Sequence, residues 1–383
     1  MAKRSFDIVL FGATGFTGGL VAQVLDRRAA EEGFSFAIAG RNPSKLEAVR
    51  RSLKTPKVGL IAAELSDPDA MRTMASQAKV VLTTVGPYNQ YGDACVKACL
   101  ESKTDYLDIT GEPEFVIKML RRYEIDARQN GVLMVNCCGF DSIPADLGVL
   151  FTVKQLPESE SKTIKGVVEG RFRPSGGTWA SAIDSIASQR GQAPRKSSGK
   201  GSSSSPFPKS LHRDEVTGAW AVPMPVIDPW MVKRSMSARG DYGPEFRYGQ
   251  FFGKRSLVRL VSLGVSMALW GALAKTSLTR RWLLSRLPSG DGPDAAERDK
   301  NHFSVTFTGQ TESARVTTRV SGQDPGYDET SKMFAEAAIL MATKREELPI
   351  KGGVTTPAAA LGELLIERLM AAGIRFEVVD KEG

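Results

Sequence analysis

Short apolar runs, each closed by glycine or a polar turn and followed by a stretch with helical spacing, recur through the first 140 residues. Phe6 to Phe11 reads as a buried strand, and Phe16, Leu20, Val21, Val24 and Leu25 then recur as one face of a helix. The same alternation returns as a strand over 34–39, a strand over 58–65 with a helix near 68–77, and a strand over 79–86 with a helix over 93–102. A strand ending near Thr110, a helix over 113–130 and the apolar run GVLMVNCCG complete the series. Strands that are apolar on both faces, alternating with helices, predict an α/β domain of the Rossmann type, with six parallel strands in one doubly wound sheet. Beyond Asp141 the pattern changes. Residues 163–174 alternate like a strand with one solvated or ligand-facing side, and 302–309 with 314–322 predict a β-hairpin. A helix is expected over 330–344. Thr356 and Pro357 suit the N-cap and first position of a last helix, which runs to Gly373.

The turn after the first strand carries the first chemistry. Gly12, Gly15 and Gly18 stand three apart between strand and helix, the spacing of a dinucleotide-binding turn. One glycine permits the turn, one lets backbone N–H groups approach a pyrophosphate, and one lets helix and strand pack closely, while the helix N-terminus favours the anion. Gly12, Thr14, Gly15, Phe16, Thr17 and Gly18 are therefore candidate cofactor contacts. The second strand ends in Gly40, Arg41 and Asn42. An NAD site places a carboxylate there for the ribose hydroxyls. Arg41, with Lys45 one helical turn on, suits a 2′-phosphate instead, so NADP(H) is the expected cofactor. The alternative for Arg41 is a solvated loop residue.

Composition fits this picture. The 383 residues are 42% hydrophobic and 25% charged, ordinary for a globular chain with room for two domains. Cys95, Cys99, Cys137 and Cys138 lack metal-ligand spacing and the two histidines lie far from them, so neither a metal site nor a disulfide framework is expected. With no targeting segment visible at the N-terminus, a cytoplasmic protein is expected. The net charge of +8 is regional: residues 190–290 hold 17 Lys and Arg against 5 Asp and Glu. No nucleic-acid-binding motif accompanies that charge, so nucleic acid is not an expected partner.

Two segments inside the basic window stand out. Residues 190–213 contain KSSGKGSSSSPFPKS, too poor in apolar residues to pack, and are expected to form a disordered loop. Residues 256–274 are apolar nearly all round, with Arg259 as the only charge and Lys254, Arg255, Lys275, Arg280 and Arg281 at the flanks. That is marginal for a bilayer span. Two readings stay open: a core or homodimer helix, or a contact with lipid, either the lipid chain of a substrate or, through 254–282, an anionic membrane such as the inner face of the plasma membrane.

The phrases GATGFTGG, IAGR, TTVGPYNQYG, DYLDITGE, CCGFDSIPADLG, SGGTWAS, DPGY and GGVTTPAAALGELLIERL, in this order, resemble the saccharopine dehydrogenase-like oxidoreductases, most of all their bacterial trans-acting enoyl reductase branch. The resemblance implies an NADP-binding Rossmann domain over 1–145 and a second α+β domain on a mixed sheet over 146–350, for substrate and oligomerisation. A C-terminal helical segment, 351–383, would return to the first domain. It also implies reduction of an enoyl double bond in a lipid or polyketide intermediate of complex lipid or glycolipid assembly, with a polyketide synthase or acyl carrier as partner. Two other functions remain open: an amino-acid or imine dehydrogenase of the saccharopine type, and a lipid-associated scaffold that binds cofactor without turnover.

Ligands of open α/β sheets bind at the carboxyl ends of the strands, and two loops there hold the candidate chemistry. In the first, Gly86 and Pro87 let the backbone pass close to the cofactor, and Tyr88 or Tyr91 could donate a proton or hold a carbonyl. The aromatics could equally pack on a Gly-Pro turn. In the second, Asp141 or Ser142 could orient substrate or relay a proton, as the resemblance implies for that loop. Asp141 could instead cap the helix near Pro144. Gly176, Gly177 and Thr178, with Arg171 or Arg173, are a weaker candidate for a substrate loop and an anion contact. Cys137 and Cys138 read as packing residues.

Overall fold

The computed structural model describes residues 4–55, 57–171, 206–224, 226–274, 276–285 and 292–382. Along the first half run β1 (Phe6–Phe11), β2 (Phe36–Gly40), β3 (Gly59–Ala62), β4 (Ala78–Thr83), β5 (Asp105–Asp108) and β6 (Leu133–Val135). Then follow β7 (Lys162–Arg171), β8 (His212–Arg213), β9 (Trp220–Pro223), β10 (Phe246–Lys254), β11 (His302–Gln310), β12 (Arg315–Gly322), β13 (Gly353–Thr355) and β14 (Arg375–Glu382).

The first sheet is wholly parallel, in the order β13-β6-β5-β4-β1-β2-β3, with one more strand than the six expected. Ile8, Val9, Leu10, Val80, Val81 and Leu82 are fully buried, because helices cover both faces and a central parallel strand needs apolar side chains on each. Helices Pro68–Ser76, Tyr88–Glu101 and Pro113–Asn130 pack on one face. On the other, helix Phe16–Glu32 is joined by helix Asp328–Thr343, which comes back from far along the chain. Buried Glu336 ties that layer together, pairing with Arg28 at 2.8 Å and Arg368 at 2.6 Å.

The second sheet is mixed, in the order β14-β12-β11-β7-β10-β9-β8. β7 runs parallel to β10 and antiparallel to β11, and β11 and β12 form the expected hairpin. The C-terminal segment serves both sheets. β13 extends the first, β14 pairs antiparallel with β12 in the second, and the helical stretch between them is broken at Gly362, where φ is +46°. Three helices meet at Asp146 of helix Ile143–Val153, whose carboxylate accepts Ser235 Oγ at 2.5 Å and the Ala358 N–H at 2.8 Å.

Three local expectations change. The segment 86–92 is not a loop: its helix starts at Tyr88, five residues before the expected Asp93, so Tyr88 to Gly92 form the first turn. Most of the Ser-rich stretch 190–213, together with Arg173 and Gly176 to Thr178, lies outside the described residues; its end, His212–Arg213, is β8, paired with β9. Residues Leu257–Leu273 do form a helix, but only Leu260 is buried, so it is not a core helix of this chain. No helix among the described residues is long and apolar enough to cross a membrane.

Candidate functional site

The carboxyl ends of β1, β4 and β5 and the loop after β6 open on a cavity of about 1290 Å³. The second sheet closes its far side through Val168 of β7, Gln250 of β10 and Val305 of β11. This is the crevice beside the switch point, where strand order reverses between β1 and β4.

The three glycines divide the work. Gly12 has φ of +97°, and a side chain there would come within 2.7 Å of Thr84 Oγ1. A Cβ on Gly18 would sit 2.2 Å from the Gly12 carbonyl oxygen, so this glycine allows helix and strand to touch. Gly15 meets nothing closer than 3.4 Å and is exposed to the cavity. It is also the N-cap residue of helix Phe16–Glu32, which has neither a side-chain cap nor an acidic residue in its first turn. First-turn N–H groups without a side-chain partner, at the positive end of a helix, suit a pyrophosphate. Thr14, Phe16 and Thr17 also line the cavity. The Phe16 ring further packs edge-on against Tyr327 at 5.0 Å, seating the DPGY turn on the first domain.

Arg41 follows β2, is exposed and lines the same cavity; no carboxylate among the described residues pairs with it. Lys45 is exposed on helix Pro43–Arg51 but is not part of the cavity wall, and its backbone N–H is bound by the Asn42 side chain at 3.0 Å. Arg41 is thus the cation on the cavity wall at the end of β2. Glycine cradle, bare helix terminus and arginine together fit NADP(H).

The catalytic candidates separate. Gly86 is on the wall, while Pro87 is the N-cap residue behind it. Tyr88 presents its ring to the cavity but not its proton. The hydroxyl donates to the Thr83 carbonyl oxygen at 2.9 Å and receives the Ile109 N–H at 3.4 Å. Burial, helped by the Asp108 charge, pushes that phenol well above its usual range, so Tyr88 is a structural anchor and not a proton donor. Tyr91, one helical turn on, is exposed on the wall. Asp141 is also on the wall. It does not cap the following helix, whose N-cap residue is Ser142. A Cβ at Gly111 would lie 2.8 Å from Asp141 Oδ2, so glycine is what lets the carboxyl settle there. Open to the cavity yet surrounded by protein, it is raised above the usual carboxylate range by burial. Ser142 is fully buried and off the wall, which removes it as a substrate contact.

Several residues on the wall, and the fully buried Asp108 next to Ile109, were not among the site candidates. Glu112 accepts the N–H groups of Tyr88 and Asn89 at 2.8 and 2.9 Å and so caps the helix that Pro87 leaves uncapped. Asp108 accepts the N–H groups of Thr110 and Cys137, each at 3.0 Å, and the Asn136 amide at 2.6 Å, fixing the ends of β5 and β6. Burial raises its carboxyl to about 6 despite those bonds. Asp228, at the start of helix Asp228–Arg239, and Gln250 of β10 also line the cavity. Asp228 precedes Pro229 and reads as an ordinary helix start; Gln250 sits mid-strand. Cys137 and Cys138 are buried with thiols pushed well up by burial, as packing residues should be.

Comparison with known proteins agrees with this geometry. Residues 8–135 match the family model of the saccharopine dehydrogenase NADP binding domain. A protein of Mycobacterium tuberculosis named as a trans-acting enoyl reductase is 35% identical over 412 aligned positions, covering 98% of this chain and 97% of its own. A saccharopine dehydrogenase-like oxidoreductase of Rattus norvegicus is 32% identical, covering 98% of each chain. Among solved structures, the saccharopine dehydrogenase of Saccharomyces cerevisiae has the same fold, with a TM-score of 0.55 at 14% identity over 98% of this chain and 100% of its own. The chain belongs to the saccharopine dehydrogenase-like oxidoreductases, and its first domain is an NADP(H)-binding domain.

Proposed function

We propose that this protein is an NADPH-dependent reductase of an activated carbon–carbon double bond in a lipid-like substrate, such as an enoyl thioester carried on coenzyme A or an acyl carrier. The observation that carries the reading is the charge of the cavity. Among the described residues of its wall, Arg41 is the only cation, against Glu64, Asp93, Glu112, Asp141 and Asp228. The region beyond the glycine turn is bounded by Ile109, Phe140, Val168, Met224, Ile227 and Val305. A substrate with several carboxylates, as in saccharopine-type chemistry, would need converging arginines; an apolar chain needs what is present. The name of the mycobacterial relative supports the same class.

NADPH, when bound, supplies a hydride for the β-carbon of the enoyl group. The protein holds the dinucleotide through the glycine turn and Arg41, lays the chain against the apolar part of the wall and delivers a proton. The test is a screen of the purified chain with NADPH and enoyl thioesters of increasing length, following cofactor absorbance and product mass. Reduction that improves with chain length supports the proposal. Saturable NADPH binding without turnover on any of them supports the scaffold reading, and turnover of an amino-acid imine supports the dehydrogenase reading.

A second observation favours action at a lipid surface. On helix Leu257–Leu273, Val258 is 77%, Val265 63% and Met267 59% exposed. Arg255 just before this helix, Arg259 on it and Arg281 on the helix after it are exposed, and no acidic residue occurs from Phe246 to Ser285. Apolar side chains with arginines and no acidic residue in the same segment match an anionic membrane interface. Flotation with phosphatidylserine vesicles should succeed, weaken with salt and fail after Val258→Asp with Val265→Asp. Flotation unaffected by these changes would defeat this part of the proposal, and a shift from dimer to monomer in the variant would assign the helix to a second copy instead.

A further inference from the structure

We propose that Asp228 is the proton donor of the cavity, giving its carboxyl proton to the substrate carbon next to the thioester carbonyl. This rests on the reductase reading and names the acid that reading needs.

Asp228 is the first residue of helix Asp228–Arg239, is 5% exposed and lies on the cavity wall. Its carboxyl is held by one side chain, with its own backbone N–H as a further donor. The Gln250 Nε2 amide donates to Oδ2, and Gln250 Oε1 in turn accepts the Tyr248 hydroxyl at 2.9 Å. Gln250 and Tyr248 are two apart on β10 and so share a face of the second sheet. Oδ1 is buried and has no hydrogen-bond partner among the described residues. An ionised carboxylate is poorly served there, with one side-chain amide, its own backbone N–H and a buried Oδ1 that has no hydrogen-bond partner among the described residues. A carboxylic acid is well served, with Oδ2 accepting from Gln250 and Oδ1–H free to donate to a ligand.

The charges around it agree. The charges of Asp141 and Asp146 act on it, and the Tyr248 hydroxyl and Cys137 thiol feel its charge in turn. Burial, followed by the two neighbouring carboxylates, pushes the Asp228 carboxyl well above the usual range against the Gln250 hydrogen bond. Asp141 shares the cavity but lacks a comparable side-chain anchor among the described residues. Asp228 has the fixed direction that proton delivery requires.

The step balances. NADPH held by the glycine turn and Arg41 would supply the hydride for the C–H bond at the β-carbon, and the double-bond electrons would then rest on the thioester oxygen. The Asp228 O–H bond then breaks as a C–H bond forms at the α-carbon, and the carboxylate takes its next proton from water.

Two measurements on the full chain decide the proposal. Infrared difference spectra between wild type and Asp228→Asn, taken from acidic to neutral pH, should show a carboxylic acid carbonyl band that persists at neutral pH. A carboxylate band there instead overturns the proposal, whatever the substrate. With an enoyl thioester that wild type reduces, Asp228→Asn should lower kcat by about 100-fold with KM changed by less than about threefold. Gln250→Leu, which leaves the acid but frees its direction, should lower kcat by about tenfold and keep the infrared band. Undiminished turnover in Asp228→Asn, or a kcat loss confined to Asp141→Asn, overturns it. If wild type reduces no enoyl thioester while the band persists at neutral pH, the reductase reading fails and the donor assignment to that reaction falls with it; the two failures are told apart by the wild-type rate.

Discussion

The carboxylate of Glu112 receives the backbone N–H of Tyr88 at 2.8 Å, linking the end of β5 to the first turn of helix Tyr88–Glu101. Its other oxygen takes the Asn89 N–H at 2.9 Å. A proline N-cap residue has no side chain that can do this, so a carboxylate 24 residues later closes the helix and, with it, one wall of the cavity. Glu112→Ala leaves two N–H groups unmet in a part-buried place and should lower unfolding free energy by about 2 kcal/mol. Glu112→Gln retains an acceptor oxygen and should recover about half of that. Urea unfolding of the three proteins measures it, and an unchanged midpoint in Glu112→Ala would show the cap to be dispensable.

Arg41 predicts cofactor choice. It is the cation on the wall at the end of β2, and Lys45 is not on the wall. Arg41→Ala should weaken NADPH binding by about 30-fold, the worth of a charge-assisted phosphate contact, and leave NADH binding within about twofold. Lys45→Ala should change either by less than about threefold. Fluorescence titration gives all four constants, and an NADPH loss larger in Lys45→Ala than in Arg41→Ala would reverse the assignment.

The contrast between these two residues shows what the sequence made legible. β1 and β2, the glycine turn and the arginine after β2 lie within one continuous βα unit, where spacing along the chain is spacing in the fold. The site's other half was not legible in that way. Glu112 acts on Tyr88 across two elements, and Asp228 and Gln250 reach the cavity only because the second sheet folds over the first. Local pattern carries no register between sheets. The Tyr88 hydroxyl illustrates the same limit: helix onset at Tyr88 turned it toward Thr83 and Ile109, and a loop reading of that segment could not supply the direction. Neither could the pattern show that β14 would complete the second sheet, since Arg375–Glu382 alternates weakly and is mostly exposed.

Acid should loosen one charged cluster at the C-terminal segment in a defined window. Asp241 accepts Arg239 at 2.9 and 3.1 Å and Lys154 at 2.9 Å, and Arg239 also reaches Glu363 and the Ala358 carbonyl oxygen. Burial pushes the Asp241 carboxyl up, but the hydrogen bonds and charges of Arg239 and Lys154 outweigh it and hold it at about 2. A depressed folded value means that the stabilisation is fully present above the ordinary aspartate range and is lost as pH falls through that range toward about 2. Because the cluster is partly solvated, its worth is discounted to about 1 kcal/mol. Wild type should therefore exceed Asp241→Asn by about 1 kcal/mol at neutral pH, with the gap closing between about pH 4 and about pH 2. A gap independent of pH would mean that the hydrogen bonds, and not the charge, carry the effect.

The glycine turn allows stability and binding to be separated within one motif. A methyl group at position 18 would stand 2.2 Å from the Gly12 carbonyl oxygen and 2.9 Å from Ala13 Cα, contacts with backbone that no rotamer relieves. Gly18→Ala must therefore push helix Phe16–Glu32 off β1, at a cost of about 3 kcal/mol or more, with cofactor binding lost as a consequence. At position 15 the nearest atom is 3.4 Å away, an ordinary contact, and the added methyl points into the cavity beside the bare helix terminus. Gly15→Ala should melt within about 2 °C of wild type, yet bind NADPH at least about tenfold more weakly, because the methyl occupies the space through which the pyrophosphate approaches the N–H groups. Thermal melts with and without NADPH read both quantities: Gly18→Ala should melt low in either condition, whereas Gly15→Ala should melt normally alone and gain little from the cofactor. If Gly15→Ala gained as much from NADPH as wild type does, the pyrophosphate would have to lie elsewhere than against this helix terminus.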